Sequence, residues 1–165
     1  MSRHIEHSAR LPRPVAAVHA ALTDERYWQA RLREIGGPGA SVDETTVGDA
    51  AIDVAMTQAV PAEHLPPIVT KIRPGDLRIT RTESWGPLQD GRASGTFTAA
   101  VDGVPGQLRG TLALTPDGDG SLLVVDGVVE VKLPLIGGKI EEVIAAQVIE
   151  LLDAEQDFTG RWLAS

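Results

Sequence analysis

The chain contains no cysteine, so neither a disulfide framework nor thiolate chemistry is open to it. Aromatic residues are scarce at 4%, so an enclosed wall has to be built mainly from Val, Leu, Ile and Ala. Such a wall suits an acyl chain, an isoprenoid or a polyketide better than a flat stacked ring. Long apolar runs are missing too. No segment approaches the ~18 uninterrupted apolar residues of a membrane span, and stable membrane insertion is not expected. Residues 1–11, MSRHIEHSARL, carry no apolar stretch of the signal-peptide kind, so the expected location is cytoplasmic. Positive charge is in deficit: the formal net charge is -8, which repels phosphate backbones and makes nucleic acid an unexpected partner. The histidines at 4, 7, 19 and 64 lack ligand spacing, so no metal is expected. Neither a dinucleotide fingerprint nor a phosphate loop occurs, the serines have no recognisable nucleophile elbow, and no cofactor is implied.

What remains is an ordinary globular composition, 42% hydrophobic and 23% charged over 165 residues, which points to a single domain spanning 1–165. Residues 3–9 alternate, with Ile5, His7 and Ala9 on one face, as a strand requires. Pro14 opens a helix carrying Val15, Val18, Ala21 and Leu22, and Asp24 caps a second one carrying Trp28, Leu32 and Ile35. Residues 40–47 and 50–60 read as a hairpin turning at Gly48 and Asp49, with Ile52, Val54 and Met56 on one face. Residues 61–75 hold four prolines, and Leu65, Ile68, Val69 and Ile72 suggest a helical excursion over a sheet. Strands follow at 77–85, 91–101, 107–115 and 121–133, joined by Gly/Pro/Asp-rich turns of hairpin length. Residues 139–163 then form one long amphipathic helix, with apolar positions three and four apart from Ile140 to Trp162. A strongly twisted sheet of about seven strands curls, and this helix is the element long enough to cover its concave face. The fold class is therefore α+β, a helix-grip arrangement whose internal space is the natural place for function.

This order of elements is similar to that of the START-like superfamily, the helix-grip fold of lipid-transfer domains, pollen allergens and polyketide cyclases. The stretches IEHSARLPRPVAAVHAALTDERYW (5–28), PGDLRITRTESWGPLQDGRASGTF (74–97), KLPLIGGKIEEVIAAQ (132–147) and LLDAEQDFTGRWL (151–163) resemble domain of unknown function 2505, an uncharacterised bacterial family of that superfamily. The resemblance spans nearly the whole chain. It implies the fold and an internal cavity, and brings no catalytic residues with it.

Polar residues on apolar faces are informative, because burying them unpaired costs a few kcal/mol, on the order of 1–3. His7 shares a face with Ile5 and Ala9, where it either meets a ligand or is satisfied by a neighbour. Arg81 and Glu83 share the face of Ile79 and Trp85; an enclosed Arg81 would anchor a ligand oxyanion, and otherwise the two form an ion pair at the sheet rim. Gln147 and Glu155 fall within the apolar arc of the long helix near Leu151. Glu155 either lines the cavity and reaches Arg81 or marks a helix end nearer solvent, the reading the sequence favours slightly. Gly137, Gly138, Lys139 and Glu141 resemble an anion-binding helix entrance, but read more simply as a strand-to-helix turn. Trp28, Trp85 and Phe97, with Val54, Met56 and Ile79, are the bulky side chains available to a cavity wall. Three functions follow as expectations: carriage of a hydrophobic small molecule or lipid, a cyclase or dehydratase using a cavity carboxylate or His, and a protein interaction module.

Overall fold

The computed structural model describes residues 2–72 and 74–165, the side chain of Ile72 excepted. Strand β1 (Ser2–Leu11) turns Ile5 and Leu11 into the core, with His7 and Ala9 half-buried on the same face. Pro12 follows it, and α1 (Val15–Leu22) starts behind Pro14, whose carbonyl accepts from Ala17 and Val18. Asp24 caps α2 (Glu25–Ile35) by accepting from the Arg26 amide at 2.9 Å. The hairpin β2 (Ser41–Gly48) and β3 (Ala51–Val60) leads to a 3-10 turn, Ala62–His64, and to α3 (Pro67–Ile72), the expected excursion. Then come β4 (Leu77–Trp85), β5 (Ala93–Val101), β6 (Gly106–Asp117), β7 (Gly120–Val131) and the terminal α4 (Gly137–Ala164).

The seven strands form one sheet in the order β1-β7-β6-β5-β4-β3-β2, every neighbouring pair antiparallel. Six of them are a simple meander, and β1 returns beside β7. One cross-strand row, Glu83–Phe97–Gly110–Gly127–Ile5, matters for the interior. The Phe97 ring lies over the two glycines: a Cβ on Gly110 would come within 2.7 Å of it, and one on Gly127 within 2.9 Å. Bare backbone at these two positions lets a large ring lie flat on the sheet instead of filling the space above it.

Helix α4 has 28 residues and is about 42 Å long at 1.5 Å per residue. It begins two residues earlier than the glycine pattern suggests. A Cβ at Gly137 would meet the Val131 carbonyl at 2.7 Å, so a residue without one lets the first turn sit against the end of β7. The Glu141 carboxylate, fully buried, accepts from the Val131 amide at 2.9 Å and ties the same turn down. The helix packs on β1 and β7, and on α1 and α2. Four of the six aromatic residues, Tyr27, Trp28, Phe158 and Trp162, form one cluster where α2 meets α4, with ring centroids 5.3 to 6.2 Å apart. Over β3, β4 and β5, by contrast, α4 stands away from the sheet, and its Val143, Ile144, Val148 and Leu151 are only half-buried.

Candidate functional site

A cavity of about 280 Å³ fills the space left where α4 stands off. Leu77 and Ile79 of β4 and Val101 of β5 form its floor, and Ile140, Ile144 and Val148 of α4 its roof. The segment through α3 closes one side with Leu65 and Val69, while Gln147 and the exposed Glu150 stand at the rim. At ~30 Å³ per water molecule this is room for about nine waters, far more than a packing defect. Two smaller hollows adjoin it and share Ile79 and Val148 with it. One of about 60 Å³ runs under Leu108 and Val129; the other, of about 50 Å³, reaches Phe97, Gln58 and Arg81.

Beyond that second hollow the gap between helix and sheet is bridged by charge. Arg81 reaches from β4 across to Glu155 of α4 in a two-pronged pair, Nη1 to Oε2 at 2.6 Å and Nη2 to Oε1 at 3.1 Å. Its Nη2 also donates to Glu83 at 3.2 Å and its Nη1 to the Gln58 carbonyl at 3.3 Å. Arg31, from α2, meets Glu155 at 2.6 Å from the other side, and its guanidinium lies 4.6 Å from the Trp28 ring centre. Trp85 donates its indole N–H to Glu83 at 2.9 Å. The Thr159 hydroxyl donates to the Glu155 carbonyl at 2.8 Å, so the Tyr27 hydroxyl must donate to Thr159 at 2.6 Å and accept from Arg31 at 3.4 Å. Arg31, Arg81, Glu83 and Glu155 are all less than 8% exposed. Two guanidiniums face two carboxylates, so the network is charge-balanced within itself.

Burial alone would raise the Glu155 carboxyl, but the Arg31 and Arg81 guanidiniums outweigh it and hold the group down at about 2. Arg31 is desolvated too, yet the charges of Glu155, Tyr27 and Glu83 push its affinity for a proton above the ordinary value. Burial raises the Tyr27 phenol. Glu155 is therefore a permanent anion at any physiological pH and a poor proton donor.

The residues singled out from the sequence separate into four groups. Ile79, Gln147 and Leu151 line the main cavity, and Phe97 and Arg81 line the hollow behind it. Arg81, Glu83, Trp85 and Glu155 come together in the charged end wall, with Trp28 beneath Arg31. Val54 and Met56 are buried on β3, directly across from Glu83 and Arg81, and line none of these three hollows. His7 lies elsewhere. It bonds Asp153 at 2.8 Å beside an open groove between β1 and the last turns of α4. Two readings are corrected: Glu155 is not at a solvent-facing helix end, and the Arg81–Glu83 pair is not at the sheet rim. Both are interior, because α4 passes over the middle strands with a gap that only long side chains span.

Arg31, Gln58, Tyr27 and Thr159 were not foreseen. The signal for Arg31 was its place one turn beyond Tyr27 on the face of α2 that holds Trp28 and Leu32. On the outer face, His4, Glu6 and Asp126 bring their ligand atoms within 4.8 Å of one another across β1 and β7, with His4 already bonded to Asp126 at 2.9 Å. Strand pairing makes that cluster, so spacing along the chain gave no sign of it. No helix among the described residues is long and apolar enough to cross a membrane.

Residues 6–163 match the family described as Protein of unknown function (DUF2505). The uncharacterized protein Rv0481c of Mycobacterium tuberculosis is 34% identical over 172 residues, an alignment covering 100% of this chain and 99% of that protein. Among solved structures, the Zhui aromatase/cyclase of Streptomyces sp. R1128 superposes with a TM-score of 0.65 at 14% identity, over 99% of this chain and 94% of that one. A STAR-related lipid transfer protein of Xanthomonas axonopodis gives 0.59 at 15% identity, over 97% and 85%. At such identities the shared property is the fold. The match along nearly its whole length means that the chain belongs to the DUF2505 family, and its sheet and helix share the START-like helix-grip fold.

Proposed function

We propose that this protein is a cytoplasmic binder or carrier of an apolar small molecule such as a lipid, an isoprenoid or a polyketide. The cavity of about 280 Å³ under α4, walled by aliphatic side chains, is the observation that carries the reading. Ile79 and Leu151 are contacts for the apolar body, with Gln147 at the entrance and Phe97 at the deep end. Burial of ten methylenes at ~0.8 kcal/mol each contributes about 8 kcal/mol before the costs of association, so shape governs affinity. The net charge of -8 supports a small-molecule partner over nucleic acid. Carriage is favoured over proton transfer by the state of the interior carboxylates. Glu83 and Glu155 are held by guanidiniums, and His7 stands outside the cavity.

The test is twofold. Protein purified without detergent is denatured and its extract analysed by mass spectrometry, and the stripped chain is titrated with the neutral dye Nile red. A stoichiometric apolar compound in the extract, or saturable dye binding abolished by Val148→Trp in a folded chain, supports the proposal. An extract without such a compound, together with no saturable dye binding, would remove it.

A further inference from the structure

We propose that the cavity selects a neutral ligand whose inner end carries a hydrogen-bond acceptor, a ketone, aldehyde or ester carbonyl, and rejects the corresponding carboxylate. This deepens the binding reading above and rests on it. The hollow of about 50 Å³ behind the cavity shares Ile79, Val148 and Leu151 with it, so the inner end of a bound chain is directed past these side chains toward Phe97, Gln58 and Arg81.

At first sight Arg81 invites an anion there. Both of its Nη groups are already engaged. Nη1 serves Glu155 and Gln58, and Nη2 serves Glu155 and Glu83. Arg31 contacts Glu155 at 2.6 Å and Tyr27 at 3.4 Å through its Nη groups, its Nε–H is buried without a hydrogen-bond partner, and it does not line this hollow. With two cations balanced by two anions, a third carboxylate in the hollow would be a buried charge without a counter-charge, next to Glu83 and Glu155. Such a ligand enters only by taking up a proton.

Gln58 supplies what a neutral ligand needs. It is 3% exposed on β3 and lines the hollow. Arg81 is a pure donor, so the Gln58 atom 3.3 Å from it has to be the carbonyl oxygen. The end of the amide left for a ligand is therefore the NH₂ group, a donor without charge. A carbonyl oxygen accepts from it; an aliphatic chain end leaves it unused.

Competition for bound Nile red measures this on the full chain, with 2-decanone and decanoate as matched displacers near neutral pH. The ketone is expected to displace the dye at least about tenfold more effectively, the ratio that one hydrogen bond and one avoided buried charge set as a minimum. Decanoate is expected to gain as the buffer becomes mildly acidic, while 2-decanone does not change. Gln58→Leu is expected to weaken 2-decanone by up to about tenfold and to leave plain decane unchanged. Decanoate binding as well as or better than 2-decanone in the wild-type chain overturns the selectivity while leaving the cavity reading intact. Saturable Nile red binding that neither compound displaces also overturns it. Absence of dye binding together with an extract empty of apolar compound removes both readings; an extract that holds a fatty acid overturns the selectivity alone.

Discussion

Glu155 is the residue on which both guanidiniums converge, and its removal leaves two buried cations short of a partner. Breaking a buried pair from one side costs about 3–5 kcal/mol, so Glu155→Gln is expected to lower unfolding stability by that amount in urea titrations. The pH dependence has a definite sign. The folded carboxyl sits at about 2 against an ordinary 4.5, so its stabilisation is fully present above about pH 4.5 and is lost as pH falls toward 2. Up to about 3 kcal/mol is at stake over that window, the shift converted at ~1.4 kcal/mol per pH unit. Asp24, Glu34 and Asp43 also have lowered carboxyls, but they titrate equally in both chains, so the difference between wild type and Glu155→Gln isolates Glu155. Parallel stability curves for the two between those pH values would contradict the account. At this scale the sequence was partly legible. Period two put Arg81 and Glu83 on one inward face, and the helical arc put Glu155 among Val148 and Leu151. Gln58 carried the same sign, two residues beyond Met56 on the face of Ile52 and Val54, but its value was not legible, because it lies in the end of the amide left over once Arg81 has taken the oxygen.

Between elements, glycine does two opposite things, and the difference is measurable. Gly110 lies under the Phe97 ring and against the Asp126 carbonyl, where a Cβ would come within 2.7 and 2.1 Å. Gly110→Ala therefore has to push β6 from β7, and an overpacking loss of roughly 1–3 kcal/mol is expected. Gly160, inside α4, has nothing within 4 Å of where a Cβ would stand. Gly160→Ala is expected to raise stability by roughly 0.5–1 kcal/mol, through the lower entropy of the unfolded chain. Thermal unfolding of the two variants against wild type checks the pair; a fall for both, or a rise for both, contradicts this reading of the sheet. The elements themselves were largely written in the periodicities and the Gly/Pro punctuation. The boundaries moved where tertiary contact overrode local signals. α4 runs back to Gly137 because β7 leaves no room for a Cβ there. β5 starts at Ala93, because Asp90 and Gly91 adopt positive φ in a turn closed by Gln89 and Arg92.

Over the whole molecule, the decisive quantity is the distance between α4 and the middle of the sheet, and no residue pattern encodes a distance. Periodicity tells which face of α4 is apolar; it does not tell whether that face touches β4 and β5 or stops short of them. The side chains resolve it. The aromatic cluster with α2 and the contacts with β1 and β7 hold the helix along one side. The Arg81–Glu155 strut spans the gap farther in, and among the described residues nothing of comparable length fills the stretch between Ile79 and Ile144. The most direct measurement is a crystal of the chain pressurised with xenon, which enters apolar cavities of this size. The account predicts xenon density between Ile79, Val101 and Ile144, with the Arg81–Glu155 pair undisturbed. Side chains closing that space, with no xenon bound between α4 and β4, would contradict it.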